Sequence, residues 1–425
     1  MDMIRRSSAL TVTALLLGMP FPAAAAPASL AQLVEIALQE HPDVTAAQEA
    51  AAAQAAQAAG ATSPYWPQIG LNSGTSMTTQ VSQAQNTAAP FNLSTIGVSA
   101  RQQVFDFGKT ADEVAAAQAL AASGQWQLTA RRIDVAYGVR KAYVEWLRAR
   151  GMQSQAEAKK KAADDLLRQA TAFWQAGRRP RLDVTSAEAE QLQAGAEVIG
   201  TRNATQVSLL ALGAALGRSG SVEAEPVFPP IPSLALAPIS DLRALAKQHP
   251  QVQQSTARLQ QAEANHRRAD KANWPDLTAD LNYGLRARDL QPNQNWGAGL
   301  SLNLPRFNGF ADWRQREATA AQVRANEAEA RSQLLQVTLG IERASLAAAG
   351  GRERLTALAA AVSSAEANLA LAEGRYRAGV GTVIEVSNAQ ALLSSARANR
   401  VSAEADYHLA IADLLRAVGT TGVAP

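Results

Sequence analysis

The sequence predicts a mainly α-helical, internally duplicated chain with a small set of membrane-type β-strands that only several copies can close. Three observations lead there. Paired motifs recur at a nearly constant spacing, two very long segments are free of proline, and four short segments alternate between apolar and polar residues.

The repeat organises the rest. His41-Pro42-x-Val44 returns as His249-Pro250-x-Val252, and Trp66-Pro67 as Trp274-Pro275, both 208 residues later. Gly97-Val98-Ser99 returns as Gly299-Leu300-Ser301, Phe105-Asp106 as Phe307-Asn308, Ala176-Gly177 as Ala378-Gly379, Asp183-Val184 as Glu385-Val386 and Gly217 as Gly419, all 202 residues later. The first copy thus carries six more residues between its Trp-Pro and Gly-x-Ser motifs. A surface loop between strands, near Gln85 and outside the cell, is the expected place for them.

Residues 1–26 read as a signal peptide. Arg5 and Arg6 precede an apolar run from Ala9 to Met19, and Ala23 to Ala26 supply a small-residue cleavage region. No later run of about twenty apolar residues is evident. The first repeat covers 27–218, with strands near 68–78 and 93–105 and a helical hairpin over 109–217. A connector over 219–239 holds Pro226, Pro229, Pro230, Pro232 and Pro238. The second repeat covers 240–419, with strands near 276–288 and 296–304 and a hairpin over 310–419. Residues 420–425 form a short tail.

The segments 109–176 and 310–378 are rich in Ala, Gln, Glu and Arg and lack proline. As helices each spans about 100 Å, longer than a globular core accommodates. Four medium helices, 30–63, 184–217, 240–273 and 386–419, have half that length. Stacked end to end as 184–217 with 240–273 and 30–63 with 386–419, they match the long ones. Val386, Ala389, Leu393, Ala396, Arg400, Ala403, Tyr407, Ala410 and Leu414 form a coiled-coil seam with steps of three and four.

Leu277, Ala279, Leu281, Tyr283, Leu285 and Ala287 alternate with Thr278, Asp280, Asn282, Gly284, Arg286 and Arg288. Trp296, Ala298, Leu300, Leu302 and Leu304 continue the pattern, as do Ile96, Val98, Ala100 and Val104. Residues 68–78 carry it more weakly. Trp66, Phe91, Trp274 and Trp296 lie near the strand ends. Lipid-facing and lumen-facing residues alternate in this way in outer-membrane strands, with aromatic girdles at the interfaces. Four strands cannot close a barrel, and an open edge in lipid leaves backbone groups unpaired at several kcal/mol each. The chain must therefore oligomerise, with more than two copies if a lumen is to remain.

These ordered motifs, with Tyr376-x-x-Gly379, resemble the TolC or outer-membrane-factor family over nearly all of the chain after residue 26. The resemblance implies a homotrimer with a shared twelve-stranded barrel in outer-membrane lipid and a long periplasmic α-helical coiled-coil barrel. It also implies a passive channel for drug efflux, type I protein secretion or both. The implied partners are a periplasmic adaptor and an inner-membrane pump, proton-driven or of the ABC type. Two departures stand out. With no cysteine in the chain, the lipidated cysteine of many efflux members is absent. The tail after Gly419 is only six residues long.

No catalytic, cofactor or metal site is expected. A formal charge of +3, spread along helices, gives no nucleic-acid footprint. There is no P-loop glycine motif to supply energy, and the four histidines do not cluster in sequence. The functional candidates are the helix-helix turns at Gly177, Gly379 and Gly381. By resemblance these form the periplasmic tip, where Asp183, Tyr376, Glu385 and Asn388 match tip positions. Gly381 stands where the family places an arginine, while Arg178, Arg179 and Arg181 lie in the first turn and are expected to pair with Glu385 or Asp183. Thr382-x-x-Glu385 also reads as a capping box. A periplasmic adaptor or a poreless scaffold are the rival readings. An adaptor carries one helical hairpin, and this chain carries two, each preceded by paired strands.

Overall fold

The computed structural model describes residues 27–82, 87–220, 222–232, 237–288 and 291–422. The expected signal peptide lies outside them. In order, the elements are α1 (Leu30–Glu40), α2 (Pro42–Gly60), β1 (Gln68–Ser82), β2 (Thr87–Phe105), α3 (Lys109–Gln175), α4 (Arg181–Ala215), α5 (Ile239–Leu245), α6 (Pro250–Asp270), β3 (Asp276–Arg288), β4 (Gln291–Asn303), α7 (Ala311–Arg377) and α8 (Val383–Val418).

α3 and α7 are 67 residues each, about 100 Å of helix. Each forms a hairpin, α3 with α4 and α7 with α8, and the hairpins join through α3 and α8. Nearer the sheet, α3 packs between α2 and α6, and α6 also packs on α7. The wall therefore runs α2, α3, α6, α7 in one half and α4, α3, α8, α7 in the other. Of the expected seam in α8, Val386, Ala389, Leu393, Ala403, Tyr407, Ala410 and Leu414 are buried, as small residues at alternate positions allow.

The medium helices differ from the sequence reading. The segments 30–63 and 240–273 are each broken at the His-Pro pair. The residue before a proline is pushed out of the helical region, and His41 and His249 are extended, with ψ of 128° and 134°. Each then caps the helix it begins. His41 Nδ1 accepts from the Asp43 amide at 3.1 Å and His249 Nδ1 from the Gln251 amide at 3.2 Å, while the proline sits where no amide is needed. The stacking partners also change. Gly217, after α4, abuts His41-Pro42, and Gly419, after α8, abuts His249-Pro250. The continuous paths are thus α4 with α2 and α8 with α6. The short helices α1 and α5 leave the path and pack on α3 and α7 respectively.

The connector is strapped across the middle of the wall. Ala28 and Ala224 form a parallel bridge. Tyr143 Oη donates to the carbonyls of Glu225 and Val227, the latter at 2.9 Å. Phe228 stacks on His408, with ring centres 4.6 Å apart, and Arg140 donates to the Thr421 carbonyl.

The four strands form one antiparallel sheet in sequence order. The expected six-residue loop is a correction: β1 and β2 have 15 and 19 residues against 13 each in β3 and β4. The extra residues thus lengthen the hairpin mainly as strand. Residues 83–86, between β1 and β2, lie outside the described ones. Register aligns the alternation across all four strands: Leu71 faces Val98, Val98 faces Tyr283, and Tyr283 faces Trp296. Leu71 is 79% exposed and Trp296 73%, so most of this apolar face is left uncovered by the described residues. On the opposite face Arg101 Nε donates to Asp280 Oδ1 at 2.6 Å. The outer edges of β1 and β4 have no strand partner among the described residues.

Sheet and helices meet at a double left-handed turn in both repeats. Phe107 and Gly108 have φ of 59° and 85°, and Gly309 and Phe310 have φ of 70° and 69°. The backbone is kept while Phe and Gly exchange places. Phe107 packs on Trp274 at 4.8 Å. Nearby, Asp112 binds Lys271 at 2.5 Å and Arg267 at 3.2 Å.

Candidate functional site at the helical turns

The two turns lie side by side at the end farthest from the sheet. α3 closes at Gly177 and α7 at Gly379, both left-handed, with φ of 68° and 83°, as glycine allows without a Cβ penalty. Beneath them Leu166, Ala170 and Ala187 of the first hairpin pack on Ala372, Tyr376, Val383, Val386 and Ala389 of the second. Burying about eight small and medium apolar side chains holds the hairpins together at this end.

Tyr376 is the centre of this contact. It is 1% exposed, with Phe173 edge-on at 5.7 Å and the Arg179 guanidinium over its ring at 5.0 Å. Arg179 Nη2 also donates to the Gly381 carbonyl at 2.6 Å. One arginine therefore bridges the two turns through a ring face and a backbone oxygen. Gly381 is buried, and a Cβ there would lie 3.0 Å from Cβ of Arg375 and from the Tyr376 amide nitrogen, so a side chain at this position would crowd the last turn of α7.

Asp183 is buried in the first turn of α4, but the cap is Pro180 and Asp183 makes no capping bond through its side chain. Asp183 Oδ2 and Tyr376 Oη are buried side by side, and neither has another hydrogen-bond partner among the described residues. Burial raises the Tyr376 phenol above its ordinary range, and the Asp183 carboxylate beside it adds to the rise while Arg179 opposes it. A phenol and a carboxylate buried together with only each other to bond make this contact sensitive to small shifts of the two hairpins.

Glu385 is exposed. Its amide donates to Thr382 Oγ1 at 3.2 Å, the helix-start half of a capping box. Its carboxylate turns to Arg375 at 3.3 Å. The expected pairing of a first-turn arginine with Glu385 or Asp183 is thus not made within the chain: Arg179 takes a carbonyl and a ring, and Glu385 takes Arg375. Arg178, Arg181 and Asn388 are exposed. Ser387 donates to Glu190 at 2.5 Å across the hairpins. Arg375, Phe173 and Glu190 were absent from the sequence reading. Arg375 lies on the same face as Glu385 only because the intervening turn reverses the chain.

Among the described residues no group of three or more His, Cys, Asp or Glu side chains converges as a metal site. His266 bonds Thr319 at 2.9 Å.

A family model described as outer membrane efflux protein matches residues 33–218 and 242–420, the two repeats on either side of the connector. Among solved structures, the outer membrane protein VceC from Vibrio cholerae superposes with a TM-score of 0.82 at 22% identity, covering 93% of this chain and 97% of that one. The Campylobacter jejuni CmeC outer membrane channel gives 0.79 at 17% identity, with 92% and 85% covered. The Neisseria gonorrhoeae MtrE outer membrane channel, solved in an open state, gives 0.78 at 19% identity, with 93% and 89% covered. At these identities the likeness is one of fold. No curated protein matches the sequence.

Proposed function

The chain belongs to the outer membrane efflux protein family, and from that premise we propose that three copies close into one passive export duct. The chain is an outer-membrane transport channel with a long periplasmic helical extension. The sheet lies in the membrane with its apolar face to lipid, and the helical turns form the far mouth of the duct.

One observation carries the closure. α3 and α7 are equivalent in the repeat and equal in length, yet α3 buries twenty residues and α7 eight. α3 has a neighbour on both flanks and α7 on one. By the repeat, the missing flank of α7 takes α2 and α4 of another copy, and the free edge of β4 takes β1 of that copy. A head-to-tail contact of this kind generates a ring. Three copies give twelve strands and leave a lumen. The uncovered side of α7 accounts for its composition. It contains a helical stretch of mean hydropathy 1.4, apolar enough to cross a membrane by length and composition, of which only 17% is buried. The sequence reading did not anticipate that stretch. Leu335, Leu339, Leu346 and Leu371 of α7, with Leu192, Ile199, Val207 and Leu210 of α4, are exposed along these flanks.

The duct works with a periplasmic adaptor and an inner-membrane pump that supplies the energy, and carries small molecules, a secreted protein or both. Arg178, Arg179, Arg181, Glu385 and Asn388 surround the mouth that the adaptor meets and that opens for cargo, and Asp183 and Tyr376 lie buried in the contact that holds it together. Mass measurement in detergent gives three chains, and reconstitution in planar bilayers gives discrete conductance steps. A stable folded monomer in detergent refutes the closure.

A further inference from the structure

We propose that, where sheet meets helices, neighbouring copies are joined by an aromatic plug, with Phe310 of one copy seated against Ser63 and Trp66 of the next. The inference rests on the closed-ring reading above and names what fastens the ring at this level.

The template for the contact lies within the chain. α3 packs on α6 beside the pairing of β2 with β3. By the repeat, α7 meets α2 of the next copy beside the pairing of β4 with its β1. Within the chain this junction is ionic. Lys109 binds Asp276 at 2.9 Å, Lys271 binds Asp112 at 2.5 Å, Arg267 binds Asp112 at 3.2 Å and Arg268 binds Glu113 at 3.2 Å. Equivalent positions lie 208 residues apart before the strands and 202 after them. Between copies they are Ala311 with Gln68, Arg314 with Ser63, Arg314 with Ala59, and Gln315 with Gly60. None of the four ion pairs can be made there. Arg314 is taken within its own chain, by Glu317 at 2.8 Å and by the ring of Trp313.

The rings take the place of the charges. Gly108 has no side chain, and a Cβ on it would lie 3.1 Å from Lys271 Nζ, so Lys271 fills that space. The equivalent residue of the second junction is Phe310, with φ and ψ of 69° and 12° against 85° and 18° for Gly108. Its Cβ therefore points where Lys271 reaches in the first junction, and the equivalent of Lys271 is the small Ser63. Large and small have changed sides. The ring cluster persists as well. Phe105, Phe107 and Trp274 follow one another at 4.6 and 4.8 Å. Phe307 and Phe310 stand edge-on at 5.2 Å, and Trp66, the equivalent of Trp274, supplies the third ring from the neighbour.

Strain and exposure point the same way. A left-handed backbone is unfavourable for a bulky residue, and Gly309 beside it already shows what the turn accepts without strain. Yet Phe310 is 67% exposed, Phe307 81% and Trp66 69% in the single chain. Burying these rings against a neighbour offsets a strain that the chain alone leaves uncompensated.

The chain has no cysteine, so paired substitutions report proximity. S63C with R314C, treated with a short bifunctional thiol reagent, should give covalent dimers and trimers on a denaturing gel, and either one alone should give none. Phe310→Ala and Trp66→Ala should each speed dissociation of the trimer in dodecyl sulfate several-fold. The double variant should lose little more than either single one, because both remove the same contact. Phe310→Gly relieves the left-handed turn and should still weaken the trimer. Circular dichroism checks that each variant folds. Cross-linked trimers whose dissociation ignores all these ring substitutions overturn the inference and leave the duct standing. Firm trimers that insert poorly into bilayers assign the rings to lipid and overturn it too. A folded chain that yields no product larger than itself overturns the duct reading, and this inference with it.

Discussion

Gly419 closes α8 directly against the ring of His249, which opens α6. A Cβ at residue 419 would lie 2.8 Å from Cδ2 of that ring, and the glycine φ is +86°. Gly217 stands in the same relation to Pro42, at 2.7 Å with φ +76°. Two helices from distant parts of the chain become one path because the end of each carries no side chain. Gly217→Ala and Gly419→Ala each meet a left-handed backbone and an occupied space, and are expected to cost about 1–3 kcal/mol. Chemical unfolding followed by circular dichroism checks this. Gly177→Ala shares the strain but meets no atom within 4 Å, so it should cost less; equal losses at all three would show that contact with the His-Pro pair contributes nothing.

The same junction should respond to acid. His249 caps α6 through an unprotonated Nδ1, and burial holds its pKa below the ordinary histidine value. His408, stacked on Phe228, is pushed down to about 4, again by burial. A group whose folded pKa is depressed contributes stability that is complete above its unfolded value, about 6.5, and is lost as pH falls through the folded value. Stability should therefore decline between about pH 6.5 and 4. His249→Asn keeps a capping acceptor that cannot be protonated and should flatten part of that decline. An unchanged pH profile in His249→Asn combined with His408→Phe would show that carboxylates alone govern it.

Tyr143 is the main clasp of the connector. Its hydroxyl serves two carbonyls, those of Glu225 and Val227, and Tyr143→Phe leaves both without that donor. A cost of about 1–3 kcal/mol is expected, felt as faster amide exchange and proteolysis within 222–232 rather than in the long helices. Protection of the connector equal to that of the native chain would mean that the Ala28–Ala224 bridge holds it unaided.

Periodicity made the large features legible. Proline-free helix formers over 109–176 gave α3 to within a residue, and alternation over 277–287 gave the exposed apolar face of β3. Features that join distant segments left no such trace. The break at His41 was visible in principle, since the residue before Pro42 resists the helical region. The length of 30–63, half that of a long helix, masks the break. Nothing local to Tyr143 points to the Glu225 carbonyl, and nothing around Gly217 names Pro42 as the residue it must admit. At the helical turns, the sequence pointed to the glycines but not to the contacts around them. Gly381 departs from the pattern that the resemblance implies, and the arginine contact at this turn comes over from Arg179 of the other repeat, which bonds the Gly381 carbonyl.

That transfer makes the tip asymmetric, and the asymmetry can be measured. Within one chain Arg179 holds the seam between the hairpins through the Gly381 carbonyl and the Tyr376 ring. The repeat places the next seam, between neighbouring chains, with Gly381 where Arg179 stands and Trp174 where Tyr376 stands. Trp174 is 42% exposed, and glycine offers no side chain to close the contact. The seam within the chain is therefore the firmer, and we expect the mouth to widen by parting between chains. A partly exposed cation over a ring contributes about 0.5–1 kcal/mol, and three such contacts act together in the closed trimer. Arg179→Ala should raise the conductance or open probability of the isolated channel. Arg178→Ala, exposed and outside this bridge, should leave gating near the native level. A cross-link between residues 179 and 381 of one chain should be tolerated by the open channel, whereas one between residues 174 and 381 of neighbouring chains should hold it shut. Opening blocked by the first and permitted by the second would reverse the assignment of the moving seam.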